Sequence, residues 1–149
     1  MAGEALSNIN LNGWRDDTTY VSFSFVTAND AELQNQYIPL FIADRRCKVD
    51  RCVARWEARE QTNSDLTIGI AKCASGSGLE TNTDVTSTEW AVSTVSTEDT
   101  ATTLTIDTDN NILEVGDTLL LEASDAGGNT ELAGFIGSIR ICGLDDPNQ

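Results

Sequence analysis

The sequence has 149 residues, which is enough for one domain with a sizeable buried core. Its 24 acidic and 9 basic residues give a formal net charge of -15, so we expect no nucleic-acid partner and no membrane partner, because an acidic surface repels phosphates and anionic lipids. No segment reaches the roughly 20 apolar residues that span a bilayer. The first seven residues lack a basic region followed by an apolar run, which predicts synthesis in a reducing cytoplasm with the cysteines as thiols.

The first elements in chain order are an arm and a strand. Residues 1–17 are predicted to form an N-terminal arm, because asparagines and Gly13 interrupt their apolar residues. From Thr19 to Thr27 the sequence alternates, with Val21 and Phe23 on one face of a predicted strand. Residues 31–35 could form one helical turn. The next predicted strand, Tyr37 to Ala43, contains Pro39 and is therefore placed near a sheet edge.

The segment from Arg51 to Glu60 has the most regular alternation in the chain. Cys52, Ala54, Trp56 and Ala58 fall on one side, and arginines and Glu57 fall on the other. Arg51, Arg55 and Arg59 are also spaced for one face of a helix. We favour a strand, because Trp56 and Cys52 suit a half-buried face.

Further strands are predicted from Leu66 to Cys73, over residues 89–96 and from Thr102 to Asp107. The apolar set Leu66, Ile68 and Ile70 should point inward. Residues 74–78 read as a flexible turn, residues 79–88 as an exposed loop, and residues 107–111 as a tight polar turn.

A hairpin closes the chain. After a turn at Val115–Asp117, the residues Leu119, Leu121 and Ala123 share one face, and Leu120 and Glu122 share the other. The return strand places Phe135, Ile139 and Ile141 on one face and Ser138 and Arg140 on the other. Gly134 and Gly137 weaken this strand and predict a bulge or a close backbone approach.

This pattern predicts an all-β fold. We expect a single jelly roll or β-sandwich of about eight antiparallel strands. Its predicted bounds are residues 18–143, with a polar C-terminal tail over residues 144–149.

No residue pattern indicates a catalytic, cofactor or metal site. The chain has no histidine, which removes histidine-based nucleophile arrangements and most zinc sites. The cysteines form no C-x-x-C pair, and Cys47 and Cys52 should face opposite sides of one strand, as buried or half-buried free thiols. The turn at Asp107 resembles the start of a calcium loop, but Ile112 and Thr118 stand where glycine and glutamate are required.

Most of the basic residues lie in one short segment, comprising Arg45, Arg46, Lys48, Arg51, Arg55 and Arg59. Two interpretations remain open: a solvated strand face balanced by acids, or a contact strip for an acidic partner, including a second copy of the chain. Core packing is the favoured role for Trp14, Trp56 and Trp90, over a sugar-stacking platform.

The order of segments resembles small jelly-roll virion proteins of tailed bacteriophages, of the head-decoration or cement type. The similar segments are Tyr37–Ile42, Arg51–Arg59, Leu66–Lys72, Leu113–Leu121 and Leu132–Ile141. The resemblance implies a non-enzymatic homotrimer that binds the major capsid protein on the capsid exterior after assembly in the host cytoplasm. We expect the interface to involve the arginines and the arm, at Arg45, Arg46, Arg51, Arg55, Arg59 and Trp14.

The alternative is a ligand-binding β-sandwich, such as a carbohydrate- or receptor-binding virion module. Exposed aromatic residues in the Thr-rich loops would favour it, and those loops contain few.

Overall fold

A computed structural model describes residues 18–25, 36–62, 66–92, 100–124 and 129–144. Within these residues the chain forms ten β-strands. In chain order they are β1 (Thr18–Phe25), β2 (Gln36–Ile42), β3 (Cys47–Thr62), β4 (Thr67–Cys73), β5 (Asn82–Asp84), β6 (Trp90–Ala91), β7 (Thr102–Leu104), β8 (Ile112–Leu113), β9 (Thr118–Ser124) and β10 (Asn129–Gly143). The predicted arm, the helical turn at residues 31–35 and most of the C-terminal tail lie outside the described residues.

The strands form two five-stranded antiparallel sheets that pack face to face. Sheet A has the order β1-β10-β3-β7, and β8 also pairs with β3. Sheet B has the order β2-β9-β4-β5, and β6 also pairs with β4. The predicted all-β sandwich is confirmed, and β2, which carries Pro39, lies at an edge as expected.

The connectivity is that of a jelly roll. The first strand pairs with the last and the second with the second to last, so Thr18 lies opposite Cys142 and Tyr37 opposite Glu122. Inside these pairs, β3 binds β7 and β8, and β4 binds β5 and β6. The chain is thus a long antiparallel ribbon folded over itself, and the pairs of strands alternate between the two sheets.

The core lies between the sheets and contains the predicted inward rows. The buried members of these rows are Cys52, Ala54, Trp56, Leu66, Ile68, Ile70, Leu119, Leu121, Ala123, Phe135, Ile139 and Ile141. Three aromatic rings cluster around Phe135. It stacks on Phe23 and on Trp56, each at 5.9 Å between centroids, and meets Trp90 edge to face at 5.7 Å. The predicted core roles of Trp56 and Trp90 are confirmed.

The two unusual glycines of β10 behave as expected. The register of β10 on β3 shifts between Leu132 and Gly134, which is a bulge. Gly137 lies opposite Phe23 on β1, and a methyl group built on Gly137 would overlap the phenyl ring. Gly137 therefore permits the close approach of an aromatic side chain to the backbone of β10.

The predicted orientation of Cys47 and Cys52 was wrong. Both thiols are buried in the same core, at 3% and 0% exposure. The register of β3 on β10 shifts at this point, because Arg51 lies opposite Arg140 and Val49 lies opposite Ile141, the next residue of β10. Asp50 is the extra residue of a β-bulge. Because of this extra residue, the odd-numbered residues before Asp50 and the even-numbered residues after it face the same side of the sheet. All four cysteines are free thiols, as predicted.

The outer side of sheet B is more covered than the sequence suggested. Leu120, predicted to face outward, is fully buried in a small second cluster with Ala71 and Cys73. Tyr37 and Leu79 pack against that cluster. The predicted loop over residues 79–88 also contributes β5, and Val85 and Thr86 within it are buried, at 0% and 5% exposure. This segment is therefore part of the fold rather than a simple exposed loop.

Candidate functional site

Three neighbouring strands of sheet A present their outward residues to solvent as one surface. The register aligns Tyr20, Arg140 and Arg51 in one row across β1, β10 and β3. A second row contains Ser22, Ser138 and Val53, and a third pairs Ile136 with Arg55. We call this surface the arginine face and define it as Tyr20, Ser22, Arg51, Val53, Arg55, Ile136, Ser138 and Arg140.

Two adjoining grooves run across the arginine face. One has a volume of about 250 Å³ and is lined mainly by apolar atoms, and Val53, Ile136 and Ser138 are among its lining residues. The other has a volume of about 210 Å³, and Tyr20, Arg51 and Arg140 surround it. Tyr20 and Ile136 are 63% and 59% exposed. Large apolar side chains bordered by arginines are the composition of a protein interface, where aromatic residues and Arg are enriched.

An ion pair fixes one arginine of this face. Arg140 Nε donates to Asp50 Oδ1 at 2.7 Å, and Asp50 is the extra residue of the β3 bulge. The thiol of Cys142 donates to the other carboxylate oxygen at 3.3 Å. Burial acts to raise the pKa of Asp50, but the bonds from Arg140 and Cys142 outweigh it and lower the pKa. Asp50 therefore stays ionised and holds Arg140 in place.

The structure divides the predicted arginine strip into two groups. Arg51 and Arg55 lie on the arginine face and are exposed. Arg45 and Arg46 lie instead in the turn between β2 and β3, where Arg46 Nε donates to Glu114 Oε1 at 3.0 Å. Arg59 belongs to β3, but its side chain is outside the described residues, as is Trp14.

A separate pocket lies beside that turn, at one end of the sandwich. It has a volume of about 240 Å³, and Phe41, Arg45 and Ile141 are among its lining residues. Arg45 Nε also lies 3.9 Å from Asp44 Oδ1, a long and exposed contact that contributes little to stability. The turn arginines thus belong to a different surface from Arg51 and Arg55.

The outer side of sheet B carries charge of the opposite sign. Asp84, Glu89 and Glu122 lie close together there. Partial burial raises the pKa of Glu122, and the charges of Asp84 and Glu89 raise it further, against a hydrogen bond from Asn82. The mutual repulsion of these carboxylates disfavours the charged form of Glu122.

The described residues contain no cluster of three or more histidine, cysteine, aspartate or glutamate side chains that could hold a metal ion. The turn at Asp107 has the polar form predicted for it. The Asp107 carboxylate accepts hydrogen bonds from the Asp109 amide at 3.0 Å and the Asn110 side chain at 2.8 Å. These bonds lower the pKa of Asp107 and account for its place in the turn. In the described part of the chain, no helix is long and apolar enough to cross a membrane.

The interface prediction missed six residues of the arginine face, and the largest of them are Tyr20, Ile136 and Arg140. Each follows from strand alternation, because each alternates with a residue that lies in the core or packs against it. What the sequence could not supply was the pairing of β1 and β3 with β10, which brings these three residues beside Arg51 and Arg55. No family model matches the chain, and comparisons with curated proteins and with solved structures also found no similar protein.

Proposed function

We propose that this protein is a structural, non-enzymatic virion protein that binds the exterior of a bacteriophage capsid and stabilises it, as a head-decoration or cement protein. The observation that carries the proposal is the arginine face in a chain of net charge -15. It concentrates Arg51, Arg55 and Arg140 around exposed Tyr20 and Ile136. The partner is the major capsid protein, bound through an acidic patch.

The physical roles within this contact differ. The groove around Val53 and Ile136 offers apolar area whose burial favours association. Arg51 and Arg55 provide planar guanidinium groups suited to paired bonds with carboxylates, so they select an acidic partner. Arg140 is already engaged by Asp50, and its role is to shape the surface rather than to bind.

A homotrimer is the proposed state, as the resemblance to decoration proteins implies. Contacts around a threefold axis are head to tail, so each copy must offer two different patches. The sandwich supports such an arrangement, because the arginine face lies on sheet A and the carboxylates Asp84, Glu89 and Glu122 lie on sheet B. Jelly rolls occur in viral capsid proteins and in lectins, so the fold alone does not separate these functions.

The second candidate function is recognition of a carbohydrate or receptor. Tyr20 favours it, because this exposed ring borders a groove together with the hydroxyl of Ser138 and two arginines. Aromatic rings beside hydrogen-bonding groups suit sugar binding, and arginines suit acidic sugars. A glycan-binding screen with the Tyr20→Ala variant as control separates the two functions, because a capsid contact predicts no glycan signal.

The test of the proposed function is capsid binding. Arg51→Glu with Arg55→Glu should weaken binding to capsids assembled from the cognate major capsid protein by about tenfold or more, and raised salt should weaken the wild-type contact. The matched control is Arg45→Glu with Arg46→Glu, which changes the charge equally in the β2–β3 turn and should have a smaller effect. Both variants should keep the wild-type melting temperature within a few degrees.

The wild-type protein decides the wider proposal. Sedimentation should show a trimer, and cosedimentation should show saturable binding to capsids. A protein that stays monomeric at high concentration and does not bind capsids would refute the proposed function. Capsid binding that survives Arg51→Glu with Arg55→Glu would show that the arginine face is not the surface that contacts the capsid.

A further inference from the structure

The edges of the two sheets differ in how they are protected against pairing with another strand. An edge strand displays unpaired backbone N–H and C=O groups, and natural proteins guard such edges with prolines, bulges, charges or short strands. Here the edges are β1 and the β7/β8 side in sheet A, and β2 and the β5/β6 side in sheet B.

Three of these edges carry recognised protections. The strands β5, β6, β7 and β8 each have only two or three residues, so they offer little backbone to a partner. The strand β2 contains Pro39, which has no N–H, and its register on β9 shifts between Pro39 and Phe41. Among the described residues, short strands protect the β5/β6 and β7/β8 sides, and a proline and a bulge protect β2.

The strand β1 has none of these devices. It is eight residues long and contains neither a charged residue nor a proline. Its register on β10 is continuous from Thr18, opposite Cys142, to Phe25, opposite Phe135. Among the described residues β1 pairs with β10 alone, so its other edge is a regular, uncharged template for an added strand.

We propose that β1 accepts an added strand from a second copy of this protein, and that residues 8–12 of the N-terminal arm form it. This inference rests on the oligomeric part of the proposed function. The segment Asn8-Ile9-Asn10-Leu11-Asn12 alternates polar and apolar residues and contains no charge or proline. Paired with β1, it would place Ile9 and Leu11 beside the inward row of Val21 and Phe23.

The same pairing continues the outer surface. Asn8, Asn10 and Asn12 would lie beside the outward residues Tyr20 and Ser22, at the border of the arginine face. The matching of both faces fixes the register by parity, because a shift of one residue would turn Ile9 and Leu11 to solvent.

The linker between this segment and β1 limits where the exchanging copies can lie. Residues 13–17 span at most about 20 Å between Asn12 and Thr18 when extended. Pairing with its own β1 would need a reversal within residues 13–17, whereas exchange needs a neighbouring copy whose β1 lies within that distance. Each copy gives one strand and receives one, and such a head-to-tail exchange closes into a ring.

The direct test is crosslinking between chains. In a Cys142→Ser background, Asn10→Cys is introduced in one chain and Ser22→Cys in another, and the two purified proteins are mixed and treated with a short bis-maleimide. We expect covalent heterodimers, and we expect the doubly substituted chain to give covalent oligomers. A double variant that crosslinks only within one chain, or mixed chains that do not crosslink, would overturn the proposal.

A second measurement uses the intact chain without crosslinking. Asn10→Pro removes an N–H that an added strand needs, so it should abolish the trimer in light scattering, whereas the control Asn10→Ala should keep it. A trimer unchanged by Asn10→Pro contradicts the strand exchange.

The outcomes separate this inference from the proposed function. A trimer unchanged by Asn10→Pro, with capsid binding still lost on Arg51→Glu and Arg55→Glu, overturns only the strand exchange. Crosslinking between chains in a protein that does not bind capsids upholds the exchange and overturns the proposed function.

Discussion

The phenyl ring of Phe23 occupies the position that a side chain on Gly137 would need. The two residues lie opposite each other on β1 and β10, and the ring also stacks on Phe135 at a centroid distance of 5.9 Å. The absence of a side chain at position 137 is therefore what lets β1 bring an aromatic ring into the aromatic cluster.

Replacing Gly137 with alanine should destabilise the protein by about 1–3 kcal/mol, because the new methyl group displaces the ring of Phe23 from a packed core. Gly134→Ala is the matched control on the same strand, since a methyl group there meets no atom within 4 Å. Its effect should be within about 0.5 kcal/mol. Urea unfolding measures both, and equal losses in the two variants would contradict the packing described for Phe23.

Replacing Trp56 with alanine should cost about 3–5 kcal/mol, because Trp56 is 3% exposed and stacks on Phe135 at 5.9 Å. Trp56→Phe should cost clearly less. It keeps an aromatic ring and removes the indole Nε1–H, a buried donor with no hydrogen-bond partner. Chemical denaturation of the two variants gives the comparison. A loss below about 1 kcal/mol for Trp56→Ala would mean that the stack contributes little.

The cysteines should differ in reactivity. Cys47, Cys52 and Cys73 are buried, and burial raises the pKa of Cys52 to about 12. Cys142 is half-buried on the outer side of sheet A, so we expect it to be the first thiol alkylated in the native protein. Burial and its bond to Asp50 also raise the pKa of Cys142, so alkylation should be slow at pH 7 and faster at pH 9. Mass spectrometry of a short alkylation detects this order, and Cys142→Ser should abolish the early product.

Glu122→Gln should stabilise the protein at pH 7. Because the pKa of Glu122 in the folded state is raised above its ordinary value of 4.5, its charged form opposes folding at neutral pH. This cost should disappear as the pH falls through the folded pKa and below 4.5, so the variant and the wild type should converge there. The gain at pH 7 should stay below about 1 kcal/mol, since solvent screens a group that is only partly buried.

The control for this prediction is Glu57→Gln, which removes the same charge from the opposite side of the sandwich, beside Arg55. Thermal unfolding between pH 4 and pH 8 compares the two variants. The interpretation of Glu122 fails if both substitutions raise the melting temperature equally at pH 7.

Alternation predicted the core wherever a strand was long and regular. The rows around Ile68, Leu121 and Ile139 needed only the two-residue period and the apolar side chains. It failed at Cys47 and Cys52 because a bulge adds one residue, and a bulge depends on how β3 pairs with β10. It placed Leu120 correctly on the face opposite Leu119 and Leu121, but it could not show that Leu79 and Tyr37, from elsewhere in the chain, cover the cluster in which Leu120 is buried.

The candidate site was predicted only in part for a related reason. Arg51 and Arg55 were placed outward by their positions in β3. The position of Arg45 and Arg46 on a different surface depends on where β3 begins. The position of Tyr20 and Ile136 beside Arg51 and Arg55 depends on the pairing of distant strands. Strands of two or three residues, such as β6 and β8, are too short to show a period at all.

The pairing of the first strand with the last has a consequence for protein synthesis. Thr18 leaves the ribosome well before its partner Cys142, which lies 124 residues later in the chain. At about 5–20 residues per second, β1 spends several seconds or more with both of its edges unpaired. Sheet A is complete only once β10 has emerged, so a nascent chain stalled before β10 exposes an uncharged strand to chaperones and to other nascent copies.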